Sequence, residues 1–213
     1  MIPVKFQLEP EDFHEKVRMK GRAFLQNSTP PINFQNHEQW TLAIPDMMRL
    51  YNENCAYSGL RLWAKSQEAT VDHFLPKAKN PGLAYEWSNF RLCNRRINGW
   101  KGEKNVVDPF EIQSDWFYLD FDSLKVKVQD HIESNLKIEL EKSIAILRLN
   151  DRSFVEYRSS WYMRYLDASA TLELLQKDAC FVAYELERQK ILLHNPLKSS
   201  VSTQVVSIAH QNE

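Results

Sequence analysis

Hydrophobic residues recur at the helical period through most of the second half of the chain. Between residues 134 and 149 they fall every two to four positions, and Asn150 and Asp151 end the pattern. Residues 153–166, 168–177 and 181–193 have the same helical character, and a small, polar stretch follows residue 199. We therefore predict four C-terminal helices, followed by a flexible tail at residues 200–213.

The first part of the chain predicts shorter elements. Residues 2–7 favour a short extended segment, and a helix is expected from Pro10, with acidic residues in its first turn. Phe13 and Val17 would lie on the buried face of that helix. A second short helix is expected after Ile44, and residues 60–63 favour a short strand.

The middle of the chain has a pattern typical of strands. Residues 69–74 are rich in strand-forming residues, residues 90–93 favour a second strand, and residues 94–102 have the length of a short helix. Residues 116–128 alternate between apolar and polar positions and predict a β-hairpin. Together these elements predict an α+β fold. Residues 1–54 form an N-terminal helical segment, 55–129 a core with its following hairpin, and 130–199 a C-terminal helical region.

Composition limits the classes of function. The chain has 213 residues, 43% of them hydrophobic, and a net charge of -1, so it can bury a real core, while any nucleic-acid site must be a local basic patch. Three cysteines and no secretory signal pattern predict a cytoplasmic protein. No apolar run is long enough to span a membrane. Five glycines leave no glycine-rich phosphate loop.

One stretch, residues 69–102, contains residues suited to phosphodiester hydrolysis. His73 can act as a general base near neutral pH. Asp72 and Asn98 can supply hard oxygen ligands to Mg²⁺, which needs few protein ligands. Asn89 can hydrogen-bond the loop that follows His73, or orient its ring.

The same stretch carries local positive charge that could contact a nucleic-acid backbone. Taken singly, each of these residues has an ordinary structural explanation. An Asp-His pair is common, Asn98-Gly99 is a turn signal, and two adjacent arginines are usually a solvated helix face. Their order along the chain is what favours a catalytic site. The basic residues are Lys77, Lys79, Arg91, Arg95, Arg96 and Lys101.

The segment VDHFLPK…YEWSNFRLCNRRINGWKG resembles the HNH nucleases, which have a ββα-metal core. In that family an Asp-His pair ends the first strand, an Asn follows a loop, and a His or Asn on the helix precedes a Lys. The resemblance implies that His73 is the base, that Asp72 and Asn98 bind Mg²⁺ or Mn²⁺, and that Asn89 holds the loop. It also implies a ββα-metal core with N-terminal helices and a helical C-terminal half.

Flanking motifs extend the resemblance to the HNH nucleases of Septu-type and retron-associated anti-phage systems. These motifs are CAY at residues 55–57, DPF at 108–110 and LND at 149–151. Those nucleases operate beside an ABC-type ATPase subunit. The resemblance therefore implies a metal-dependent endonuclease in antiviral defence, with nucleic acid, expected to be DNA, as substrate and an ATPase as partner.

The chain departs from many HNH proteins at the positions of their zinc ligands. Two Cys-x-x-Cys pairs would fall at Cys55 with Ser58 and at Asn94 with Ile97, so one ligand of four remains. We therefore expect no structural zinc, and we expect all three cysteines to be buried and reduced. Apolar packing would replace the zinc, and the residues expected to provide it are Tyr57, Trp87, Phe90, Ile97 and Trp100.

Two other functions fit the sequence. The loss of zinc ligands would also suit a nucleic-acid-binding module whose active site no longer cleaves. Alternatively, the helical C-terminal half docks onto a partner, and nuclease activity is secondary. The retained Asp72, His73 and Asn98 favour the endonuclease.

Overall fold

The computed structural model describes residues 1–63 and 68–191. In this part of the chain the fold is mixed α+β, with two small antiparallel sheets, as the sequence predicts. The strands are β1 Ala69–His73, β2 Phe90–Asn94, β3 Phe117–Asp120 and β4 Lys125–Val128. The α-helices are α1 Met19–Gln26, α2 Ile44–Leu50, α3 Arg95–Lys101, α4 Ser134–Ile146, α5 Arg152–Leu166, α6 Leu172–Asp178 and α7 Cys180–Arg188.

The first helix begins with a π-helical turn, His14–Arg18, that leads directly into α1. Phe13 and Val17 are both buried, as expected from the apolar spacing. Gly21 lies where this helix meets the ring of Tyr85. A Cβ atom on Gly21 would come within 2.0 Å of that ring, so only glycine permits this approach.

The second helix confirms one prediction, and the segment after it corrects another. A short 3-10 turn, Gln39–Ala43, leads into α2, and Pro45 occupies its first turn, where a missing N–H costs nothing. Residues 60–63, however, form no strand. Only an isolated bridge between Asn54 and Arg61 is present, so the predicted strand is wrong.

The first sheet and α3 are continuous in sequence. β1 and β2 are antiparallel, with Ala69 opposite Asn94 and His73 opposite Phe90. The side chain of Asn94 then accepts a hydrogen bond of 2.9 Å from the N–H of Arg96 and begins α3. Gly102, at a φ of 51°, ends the helix. All five residues of β2 are buried, so the sheet is covered on both faces.

The second sheet is the predicted hairpin. β3 and β4 pair with Phe117 opposite Val128, and Leu124, at a φ of 54°, closes the turn between them. All four predicted C-terminal helices are present, but α7 ends at Arg188, earlier than the apolar pattern suggests. Residues 192–213, including the predicted tail, lie outside the described residues. Within the described part, no helix is both long and apolar enough to cross a membrane.

Candidate active site

His73 is the last residue of β1, and aromatic rings hold its imidazole on two sides. The ring of Trp40 meets it edge-on at 4.8 Å between centroids, and the ring of Phe90 does so at 5.4 Å. Phe90 is the cross-strand partner of His73, so the two side chains share one face of the sheet. His73 keeps 7% of its surface exposed. Its ring orientation is therefore set by packing.

A hydrogen bond fixes which ring nitrogen of His73 carries the proton. Nε2 lies 2.9 Å from the carbonyl oxygen of Ala84, which can only accept. Nε2 must therefore donate, and the lone pair of the neutral ring is on Nδ1. Burial lowers the pKa of His73 to about 4, and the charges of Lys77 and Lys101 act in the same direction. At neutral pH the ring is uncharged, which is the form a general base requires.

Asn89 ties down the loop that supplies this carbonyl group. Its Oδ1 accepts a hydrogen bond of 2.8 Å from the N–H of Leu75, and its Nδ2 donates to the carbonyl oxygens of Leu75 (3.0 Å) and Leu83 (3.2 Å). Leu83 immediately precedes Ala84, so these bonds position the carbonyl that orients His73. Asn89 thus hydrogen-bonds the loop after His73 through Leu75, one of the two contacts that the sequence suggests for it. Its contribution to catalysis stays a prediction.

Asp72 lies on the opposite face of β1, toward α3, because successive strand residues alternate between faces. The residue is 2% exposed. Oδ1 accepts a hydrogen bond of 3.0 Å from Nζ of Lys101, and Oδ2 accepts one from the hydroxyl of Tyr57. Burial raises the pKa of Asp72, while Lys101 and Tyr57 oppose that shift. Asp72 and His73 are therefore adjacent in sequence but face different neighbours.

Asn98 connects α3 to the same strand. Its Nδ2 donates to the carbonyl oxygen of Val71 at 3.2 Å, which leaves Oδ1 as the acceptor of the amide. Across residues 1–63 and 68–191, no three His, Cys, Asp or Glu side chains are grouped so as to hold a metal ion. A metal bound here would rely on the carboxylate of Asp72 and the amide of Asn98. These hard oxygen donors suit Mg²⁺, which retains several waters.

Four of the predicted nucleic-acid contacts lie at least partly at the surface. Lys77 is half-buried, with its ammonium 5.2 Å from the ring centre of Trp40, next to His73. Lys79 is exposed and pairs with Glu103 at 3.5 Å. Arg95 and Arg96 are exposed on α3. Basic side chains thus lie on the loop after β1 and on the helix after β2, where Lys79 pairs with Glu103 and Arg96 with Asp151.

Two of the predicted nucleic-acid contacts need correction. Arg91 is 3% exposed, and its guanidinium forms a bidentate pair with Asp108, with Nε 2.8 Å from Oδ1. Lys101 is fully buried against Asp72. Neither charge faces solvent, so the prediction that Arg91 and Lys101 contact a nucleic-acid backbone is wrong. Both neutralise buried carboxylates, as burial of an ionised group requires.

The would-be zinc positions are joined by hydrogen bonds and apolar packing. The sulfur of Cys55 accepts a hydrogen bond of 3.3 Å from the N–H of Asn94, and Ala56 donates to the carbonyl of Leu92 at 2.8 Å. Four of the five side chains expected to replace zinc are buried, and Trp100 is partly buried against the same core. Cys55 and Cys93 are buried free thiols, whereas Cys180 is only half-buried, contrary to expectation.

The sequence did not reveal the partners of these side chains. In the sequence, Asp108 stands out only as part of the DPF motif, and Tyr57 only as a packing residue. Trp40, which holds His73, lies 33 residues before it in the chain. Such contacts leave no local signal, because nothing in the spacing of charges or aromatic residues tells which distant side chains meet.

A separate cleft lies elsewhere in the described part of the chain. It has a volume of about 1420 Å³, and its wall includes Ile2, Met48, Trp63, Arg95 and Lys177. Neither His73 nor Asp72 lines it. Catalysis at His73 would therefore not take place in this cleft.

Comparison with known proteins finds sequence similarity to a Septu protein. No protein-family model matches it. The chain is 25% identical over 136 residues to the Septu protein PtuB of Bacillus thuringiensis, and the match covers 62% of this chain. It spans 48% of that protein, so about half of the length of the relative has a counterpart here.

Proposed function

We propose that the protein is an HNH endonuclease of the ββα-metal type, which hydrolyses phosphodiester bonds of nucleic acid, with DNA as the expected substrate. The observation that carries this proposal is the orientation of His73. Its Nε2 is fixed by the carbonyl of Ala84, and that carbonyl lies on a loop that Asn89 holds at three points. A histidine oriented in this way is ready to remove a proton from water.

In this mechanism Nδ1 of His73 takes the proton from the attacking water. Because the ring is neutral at pH 7, no prior deprotonation is needed. Asp72 and Asn98 would hold a Mg²⁺ or Mn²⁺ ion, which offsets negative charge on the phosphate and the leaving oxygen. Lys77, on the loop beside His73, adds positive charge that attracts the nucleic-acid backbone.

Similarity to a Septu protein supports a role in anti-phage defence. It agrees with the resemblance of the flanking CAY, DPF and LND motifs to nucleases of such systems. We therefore propose that the protein acts together with an ABC-type ATPase subunit. Co-expression with a neighbouring ATPase, followed by size-exclusion chromatography, should yield a complex of fixed ratio. Separate elution at micromolar concentrations would count against this partnership.

The nuclease proposal is tested by cleavage of supercoiled plasmid DNA and of single-stranded RNA with Mn²⁺ or Mg²⁺. The wild type should cleave at least one substrate, and His73→Ala should lower the rate by about 100-fold or more. His131→Ala is the matched control, since His131 is an exposed histidine paired with Asp115. Cleavage by His73→Ala at the rate of the control would refute the role of His73.

A second function, a catalytically inactive nucleic-acid-binding or partner-docking subunit, is favoured by one observation. Both carboxylate oxygens of the candidate ligand Asp72 already hold protein hydrogen bonds. Under this alternative, the wild type and His73→Ala would bind DNA equally and neither would cleave it with any divalent cation. The same assay therefore separates the two functions.

A further inference from the structure

Lys101 is buried in a cage of oxygen atoms at the end of α3. Its ammonium lies 3.0 Å from Oδ1 of Asp72, 3.1 Å from the carbonyl of His73 and 3.2 Å from that of Phe74. The side chain has no exposed surface. Three oxygens converging on one buried charge form a site that selects a cation, and here the cation belongs to the chain itself.

This cage includes the carboxylate expected to bind metal. Lys101 holds Oδ1 of Asp72, and Tyr57 holds Oδ2. Asn98, the other expected ligand, lies three residues before Lys101 on α3, and positions with this spacing share a helix face. Asp72 is also buried, so a divalent ion that binds Oδ1 would come close to the ammonium of Lys101, which lies 3.0 Å from that oxygen. Of the two donors, the ammonium is the one that a second positive charge would repel.

We propose that Lys101 is an internal competitor for the metal site, so that its ammonium neutralises Asp72 in the metal-free protein and is displaced when a divalent cation binds. This inference rests on the proposed metal-dependent nuclease function. Competition with metal accounts for a buried Lys101. Contact with nucleic acid does not, because a buried side chain cannot reach the phosphate backbone. Lys101 also gives the buried carboxylate of Asp72 a partner of opposite charge in the absence of metal.

A purely structural role for Lys101 makes a different prediction. If the lysine only ties α3 to β1, removing it would loosen the ligands and weaken metal binding. If it competes with metal, removing it would strengthen binding. Isothermal titration with Mn²⁺ distinguishes the two, and the protein needs no substrate for this measurement.

Lys101→Met keeps the length of the side chain but removes its charge. We expect Lys101→Met to bind Mn²⁺ on the order of tenfold or more tightly than the wild type, because a buried positive charge beside the ligand is gone. Lys104→Met, which removes an exposed lysine three residues later, should bind as the wild type does. Asp72→Asn should abolish the binding in either background. Equal or weaker binding by a folded Lys101→Met would overturn the proposal.

A second experiment uses only the wild type, so it does not depend on whether the variant folds. Lysines are acetylated with and without saturating Mn²⁺, and mass spectrometry measures each site. Lys101 should be protected without metal and should react at least about fivefold faster with it, because displacement exposes the amine. Lys104 should react equally in both conditions. Continued protection of Lys101 at saturating Mn²⁺ would overturn the competition.

These results can be separated from a failure of the proposed function. If the wild type cleaves nucleic acid with Mn²⁺ while Lys101 stays protected, the nuclease stands and the competition is refuted. If the wild type neither cleaves nor binds Mn²⁺, the metal-dependent nuclease is refuted, and the role of Lys101 falls with it.

Discussion

Acidification should destabilise the metal-free protein through His73. Burial against Trp40 and Phe90 lowers the pKa of this histidine from 6.5 to about 4. Between these two values the unfolded chain binds a proton that the folded chain does not. Stability contributed by the neutral ring is therefore fully present above pH 6.5 and is lost as the pH falls toward 4.

The expected size follows from the two pKa values. At pH 7.5 the ring is neutral in both states, whereas at pH 4.5 the unfolded state is almost fully protonated and the folded state only partly. The difference amounts to about 2–3 kcal/mol of unfolding free energy between pH 7.5 and 4.5. For a domain of this size that is a substantial share of the total stability.

Urea unfolding in EDTA at several pH values measures this loss, with fluorescence and circular dichroism as two probes of a single transition. Other groups also titrate, so the useful quantity is the difference between the wild type and His73→Gln at each pH. His73→Gln should lose about 2–3 kcal/mol less stability than the wild type between pH 7.5 and 4.5. His131→Gln, which alters an exposed histidine, should follow the wild type. If His73→Gln follows the wild type as well, the buried neutral state of His73 is refuted.

Three further predictions concern the residues around the site. Asn89→Ala removes three hydrogen bonds from the loop. It should slow cleavage about tenfold or more and leave the affinity for Mn²⁺ unchanged. A normal cleavage rate would show that the loop does not position the base. Arg91→Met leaves the carboxylate of Asp108 buried without its partner and should cost about 3–5 kcal/mol in urea unfolding, much of which the double variant with Asp108→Leu should restore. Gly21→Ala forces a Cβ atom into an aromatic ring and should cost about 1–3 kcal/mol, whereas Gly82→Ala, which meets no atom within 4 Å, should be nearly neutral in thermal unfolding.

Local signals in the sequence were sufficient to predict β1, β2 and α3. The strands were expected at residues 69–74 and 90–93, and both are observed within one residue of those bounds. The helix was expected at residues 94–102, where Asn94 caps its start and Gly102 its end. Strand propensity and helix capping act over a few residues, so a short stretch of sequence is enough to predict where these elements begin and end.

Charge at a single position was a much poorer guide. Arg91 and Lys101 looked like surface charges beside Arg95 and Arg96, yet only the last two are exposed. The partner of Arg91 lies 17 residues away and the partner of Lys101 lies 29 residues away. The position of a basic residue on a strand or helix does not show whether a carboxylate on a neighbouring element will pair with it. Only the tertiary fold supplies that information.

One segment connects the stability of the core with the candidate site. Residues 55–56 bind β2 through the sulfur of Cys55 and the N–H of Ala56, at the place where zinc-containing HNH proteins are clamped by metal. The next residue, Tyr57, is fully buried and donates its hydroxyl to Asp72. Contacts that hold this segment on the sheet therefore also set the surroundings of the candidate metal ligand. Residues 69–102 therefore do not form the candidate site alone, because the hydroxyl that donates to Oδ2 of Asp72 comes from outside that stretch.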